Sequence, residues 1–74
     1  MENPLVALRE RRGWTRREMA LRCGLGYWQL AACELGHPRR LPAGVRRALE
    51  ALGEDPEAFA AAYEAWREKQ RAAG

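Results

Sequence analysis

Histidine and cysteine are scarce in this 74-residue chain, and their scarcity removes whole classes of chemistry. One histidine, His37, and two cysteines, Cys23 and Cys33, with no CxxC and no second histidine at ligand spacing, do not make a zinc site. No Ser/His/Asp or Cys/His grouping, glycine-rich phosphate loop or paired carboxylate emerges, and a helical chain of 8.4 kDa has little room for a substrate cleft. A non-enzymatic protein with no cofactor and no metal is expected. Long uncharged runs are missing too. The longest, Cys23 to Cys33, is about half of what a membrane span needs, and no basic start with a signal-peptide core precedes it, which points to a cytoplasmic protein with no membrane partner. Linkers, internal repeats and low-complexity segments are likewise absent, although Ala58 to Ala62 is alanine-rich.

What is present is a soluble, globular composition, 47% apolar and 31% charged. The length predicts a single domain over 1–74, too short for two cores and of modest stability. Helix signals divide it. Asn3 followed by Pro4 is a cap with proline at the first helical position, so helix 1 is expected from Pro4 to about Arg12, with Leu5 and Leu8 inward and Gly13 ending it. Thr15 and Glu18 form an S/T-x-x-E capping box, which starts a second helix at about Arg16. Met19, Ala20 and Cys23 give that helix one apolar face, and Gly24 stops it. Leu25 and Gly26 leave a tight connection to a third helix, whose inward face is Leu30 and Cys33. Two helices joined this closely must cross steeply, and Ala20 supplies the small side chain the crossing needs. Pro42 opens helix 4, carrying Val45, Leu49 and Leu52 before Gly53, although Leu41 stands where a Ser or Thr cap is usual. Asp55-Pro56-Glu57 starts a long helix 5 that runs to about Arg71.

The segment from Thr15 to Gly36 resembles the helix-turn-helix of the Cro and phage-repressor (XRE-like) family of transcriptional regulators. The resemblance extends without a gap from about Pro4 to Phe59. It is carried by Leu8-Arg9 before Gly13-Trp14-Thr15, by Glu18, Ala20, Gly24, Leu30, Glu34 and Gly36, and by Pro42, Val45, Ala48, Leu52 and Gly53. It implies an all-α, compact five-helix lambda-repressor-like domain with the helix-turn-helix at helices 2 and 3. It also implies double-stranded DNA as partner, with Tyr27, Trp28, Gln29 and Ala32 facing the major groove and the first residue of helix 2, Arg16, touching phosphate. Arg39 and Arg40, on the loop after helix 3, are in a phosphate-gripping position. Arg9 and Glu34 match a structural ion pair between helix 1 and the end of helix 3. Cys23 and Cys33 stand where the family carries core aliphatics, which implies buried thiols, and a disulfide between them is disfavoured in a cytoplasmic setting.

Charge is distributed unequally. From Met1 to Arg47 ten Arg face four Glu, giving +6, whereas from Ala48 to Gly74 three cations face six acids, giving −3. A basic half containing the motif is the electrostatic footprint of a phosphate backbone, and an arginine-rich solvated surface is the alternative. Arg16 and Arg17 sit in the first turn of helix 2, where the macrodipole disfavours cations by roughly 0.3–1 kcal/mol each, so a phosphate is the expected compensation. Arg16, Arg39 and Arg40 rank before Arg11, Arg12, Arg46 and Arg47 for that role.

The reading helix is unusual in its chemistry. Only Gln29 has the bidentate edge that suits adenine; Tyr27 offers one hydrogen bond, Ala32 apolar contact only, and Trp28 is large for a groove. Trp28 has three open roles: DNA contact, protein contact, or folding back on helix 2 or the Arg39 loop. In helix 5, Phe59, Ala62, Tyr63 and Trp66 form a stripe, with Phe59 reaching the core. Tyr63 and Trp66 either cover helix 1 or build a symmetric homodimer that spans two half-sites. The sequence therefore favours a sequence-specific DNA-binding regulator, a small repressor acting as a dimer. The alternative is an adaptor of the same shape that uses Tyr27 and Trp28 to bind a protein, such as a toxin, RNA polymerase or a partner regulator.

Overall fold

Local signals in the chain are read out as five helices in the computed structural model, which describes residues 2–73. They are α1 (Pro4–Arg11), α2 (Arg16–Cys23), α3 (Tyr27–Leu35), α4 (Ala43–Ala51) and α5 (Pro56–Ala73), with no strand among the described residues. The Thr15–Glu18 box closes reciprocally: Glu18 N–H donates to Thr15 Oγ1 at 3.1 Å and Thr15 N–H to Glu18 Oε1 at 3.0 Å. Glu18, whose carboxyl is held below its ordinary pKa chiefly by the Thr15 N–H, thereby starts α2 as an anion at the positive helix end. Asp55 Oδ1 accepts from the N–H groups of Glu57 and Ala58, as a capping residue ahead of α5 should. Two details differ from expectation. Pro42 caps α4 without a side-chain bond and Ala43 is its first helical residue, while α5 continues to Ala73.

The five helices fold into a body of 33 × 21 × 20 Å. Its core comprises Leu5 and Leu8 from α1, Met19 and Ala20 from α2, Leu30 and Cys33 from α3, Leu41, Val45 and Leu49 around α4, and Tyr63 from α5. Each fully buried Leu or Val contributes about 1.5–3 kcal/mol relative to exposure, so these few side chains dominate the favourable free energy of a small domain. α2 rests on α3 and α4, and α5 closes the far side against α1 and α4. Asn3 does more than cap. Its Oδ1 accepts from Leu5 N–H at 2.8 Å, while its Nδ2 donates to the carbonyls of Cys33 and Glu34, both at 3.1 Å. One buried amide thus starts α1 and bonds two of the last carbonyls of α3, of which that of Cys33 also accepts from Gly36 N–H at 3.2 Å. No described helix is long and apolar enough to cross a membrane.

Candidate nucleic-acid interface

α3 separates its residues cleanly. Leu30, Ala31, Cys33 and Glu34 are buried, while Tyr27, Trp28, Gln29 and Leu35 are exposed and Ala32 is half-buried. Trp28 is 79% exposed, so of its three possible roles the intramolecular one is lost. Its ring stands edge-on to Tyr27 at 5.1 Å with an interplanar angle of 90°. Gly26 caps α3 without a side-chain bond, which leaves the first N–H groups of the helix open beside these aromatics. Gln29 points towards α4: a β-carbon on Gly44 would come 3.8 Å from Gln29 Nε2 and 4.0 Å from Arg47 Nη2. An amide able to read a base edge and a guanidinium therefore converge over one glycine.

Beneath this surface lies a buried carboxylate with two arginines. Glu34, its side chain 1% exposed, accepts from Arg9 Nε at 3.0 Å, from Arg9 Nη2 at 3.2 Å and from Arg16 Nε at 3.1 Å. Arg9 also donates Nη1 to the Trp14 carbonyl at 3.3 Å. The Arg9–Glu34 pair thus links α1 to α3 in the bidentate geometry that arginine favours. Arg16 differs from the sequence expectation. Its guanidinium is drawn inward to Glu34, which holds it more firmly protonated than usual, and its carbon lies 5.9 Å from the Tyr27 ring centroid. The first-turn cation is compensated by a buried acid of the same chain. Arg17 is exposed and has no carboxylate within 4.0 Å among the described residues, so α2 presents it to solvent as a free cation.

The remaining arginines fall into separate places. Arg39 and Arg40 are exposed and share a depression with Glu64, Arg67, Glu68 and Arg71 of α5, next to acids as well as cations. Arg12 is tied to Glu54 Oε2 at 2.9 Å and to the Leu52 carbonyl at 3.3 Å, while Arg12 and Arg22 lie on the Trp14 ring at 5.3 and 5.1 Å. Arg47, ranked low from sequence, is the one beside Gln29. Its signal was the glycine three residues earlier, at the start of α4.

Of the two roles open to Tyr63 and Trp66, a dimer surface or a cover for their own chain, the first is corrected by burial. Tyr63 is wholly buried and donates its hydroxyl to the Pro38 carbonyl at 2.6 Å, so it has no face for a second copy. Burial pushes its phenol pKa up. Trp66 is half-buried 5.9 Å from the Tyr63 ring and lies over Gly36, and Arg67 donates Nε to the Gly36 carbonyl at 3.0 Å. The α5 stripe therefore covers its own core, with Ala62 left exposed beside it. Cys33 is buried, Cys23 half-buried, and both are free thiols whose pKa values burial raises. His37 is exposed. Sequence reasoning passed over Leu21 and Leu35, which are 76% and 63% exposed; both fall off the apolar face of their helices, a departure that periodicity could have flagged. Comparison with known proteins finds no family, no curated protein and no solved structure that matches this chain.

Proposed function

We propose that this chain is a sequence-specific double-stranded-DNA-binding regulator, a small repressor in which α2, the Gly24–Gly26 turn and α3 act as a helix-turn-helix. The observation that carries the reading is the exposure of Tyr27, Trp28 and Gln29 together at the uncapped start of α3, with Arg47 beside Gln29 and Arg17 on the neighbouring helix. Gln29 reads a base edge, Tyr27 and Trp28 add a hydrogen bond and apolar contact, and Ala32 admits the groove wall. Arg17 and Arg47 hold phosphates, with Arg39 and Arg40 on a separate stretch of surface. Arg16 acts through Tyr27, positioning the ring from its seat on Glu34. A short reading helix covers few base pairs, so the regulator works as a dimer on two half-sites, through a surface other than Tyr63.

Fluorescence anisotropy against a random-sequence duplex pool, followed by selection, tests the reading. A selected site is expected to bind at least about a thousandfold more tightly than a nonspecific duplex. Gln29→Ala should relax one position of that site by about 1–3 kcal/mol, while Arg17→Ala should weaken all duplexes alike. Equal affinity for selected and unselected duplexes would overturn the proposal.

A further inference from the structure

Leu21 has no role in anything described so far, yet α2 keeps it 76% exposed, and Trp28 stands 79% exposed across from it. Between them lies a hollow of about 600 Å³, walled by Ala20, Leu21, Leu25, Tyr27 and Trp28 and edged by Thr15, Arg16 and Arg17. Its volume is within the range of ligand pockets, and its walls are mostly apolar although it is half open to solvent.

The charges around the hollow select what can enter. Among the described residues, Arg16 and Arg17 are the only ionisable side chains along its lining apart from the tyrosine phenol, and no carboxylate lines it. Glu34 lies below, engaged with Arg9 and Arg16, and Glu18 is turned back to the Thr15 N–H. A phosphate fits the arginines but not the floor, because Ala20, Leu21 and Leu25 would lose water and gain no partner for the anion. The α5 face of a second copy also fits poorly. The other half of the chain has the complementary charge, −3, but α5 turns Phe59, Tyr63 and Trp66 to its own core and exposes alanines at 58, 61, 62 and 65, none large enough to fill the space. The matching surface carries a large apolar side chain with a carboxylate beside it.

We infer that the α2–α3 hollow is a docking site for an acidic segment of another protein, which seats an apolar anchor between Leu21 and Trp28 and places a flanking carboxylate on Arg17. The site does not depend on the DNA reading. Arg17, Tyr27 and Trp28 belong to both surfaces, so a docked segment and a duplex compete.

Selection of a displayed library of random linear peptides on the intact chain tests the inference. Enriched peptides should carry a Leu, Phe or Trp flanked by Asp or Glu. They should lose about tenfold or more in affinity against Leu21→Ala and against Arg17→Ala, with only the second loss fading at high salt. Leu21 lies outside the core, so the unchanged unfolding midpoint of Leu21→Ala serves as the folding control, and its unchanged duplex affinity separates this site from the DNA surface. Failure to enrich any peptide, enrichment without acidic residues, or equal binding to Leu21→Ala would overturn it. So would a dimer of the wild-type chain that Leu21→Ala converts to monomer in sedimentation, since the hollow would then be filled by a second copy. Loss of duplex binding alone, with peptide binding intact, would remove the DNA reading and leave the docking site standing.

Discussion

Glu34 is the residue on which α1, α2 and α3 meet. A carboxylate with 1% of its side chain exposed is tolerable only because Arg9 and Arg16 supply three donors, and removing its charge strands two guanidinium groups at the edge of the core. Glu34→Gln keeps the shape and removes the charge. It should cost about 3 kcal/mol, the low end for a broken buried pair, because Arg9 and Arg16 still reach water at 19% and 31% exposure. A chain of this length has about 4–11 kcal/mol of stability in all, so urea denaturation reads the loss easily. A change below about 1 kcal/mol would mean that water, not arginine, satisfies the carboxylate. Tyr63 gives the second residue-scale prediction. Its phenol is held neutral by burial, so the folded chain binds the proton more tightly than the unfolded one. Its contribution is complete below the ordinary tyrosine pKa of about 10 and is lost as pH rises through the higher folded value. Tyr63→Phe should lose about 1 kcal/mol at neutral pH with the bond to Pro38. The variant's stability should then fall less steeply above pH of about 10. Equal alkaline slopes for the two proteins would show that Tyr63 titrates as if solvated.

Helix ends were the most legible part of the sequence, because a cap is decided within three or four residues. Thr15 with Glu18, Asp55 with Pro56, and Asn3 with Pro4 each place a start within one residue of where it lies. The Arg9–Glu34 pair was legible only through family resemblance, since nothing local joins residues 25 apart. Three contacts were illegible for the same reason: the Asn3 amide on the end of α3, Arg16 on Glu34, and the Tyr63 hydroxyl on Pro38. Each is a choice among many possible partners that only the assembled helices settle. The α5 stripe was visible as a pattern, but pattern alone does not say whether Tyr63 and Trp66 cover their own chain or another's. Glycine makes the difference between local and assembled information testable. Gly24 and Gly36 both end helices in the left-handed region, at φ of 66° and 82°, where an L side chain costs about 1–2 kcal/mol. A β-carbon at Gly24 meets nothing within 4 Å, whereas at Gly36 it comes 2.9 Å from Trp66 Cζ3. Gly24→Ala should show the backbone cost alone. Gly36→Ala should add the displacement of Trp66 and melt several degrees lower in circular dichroism. Equal midpoints would mean that Trp66 swings away freely and that α5 seals the core without it.

At the scale of the whole molecule, the +6 of the first 47 residues is larger than the charge the surface can offer a ligand. Four of those ten arginines, Arg9, Arg12, Arg16 and Arg46, have a carboxylate of the same chain within 4.0 Å; the other six, Arg11, Arg17, Arg22, Arg39, Arg40 and Arg47, have none among the described residues. Counterion release discriminates between these groups, since each phosphate neutralised contributes about 0.9 to the slope of log K against log salt. If the DNA reading is right, Arg17→Ala and Arg47→Ala each flatten the slope by about that amount. Arg12→Ala should leave it unchanged while lowering stability, because it breaks the bonds to Glu54 and Leu52 and removes one of the two guanidinium groups on the Trp14 ring. Arg39→Ala and Arg40→Ala decide how far the surface extends: their position beside Glu64 and Glu68 predicts a smaller change than at Arg17. Equal flattening by all five variants, Arg12 included, would describe an arginine-rich surface that attracts polyanions by net charge. Flattening confined to Arg17 and Arg47 places the phosphates on α2 beside Tyr27 and Trp28 and on α4 beside Gln29, next to the side chains a reader of bases would use.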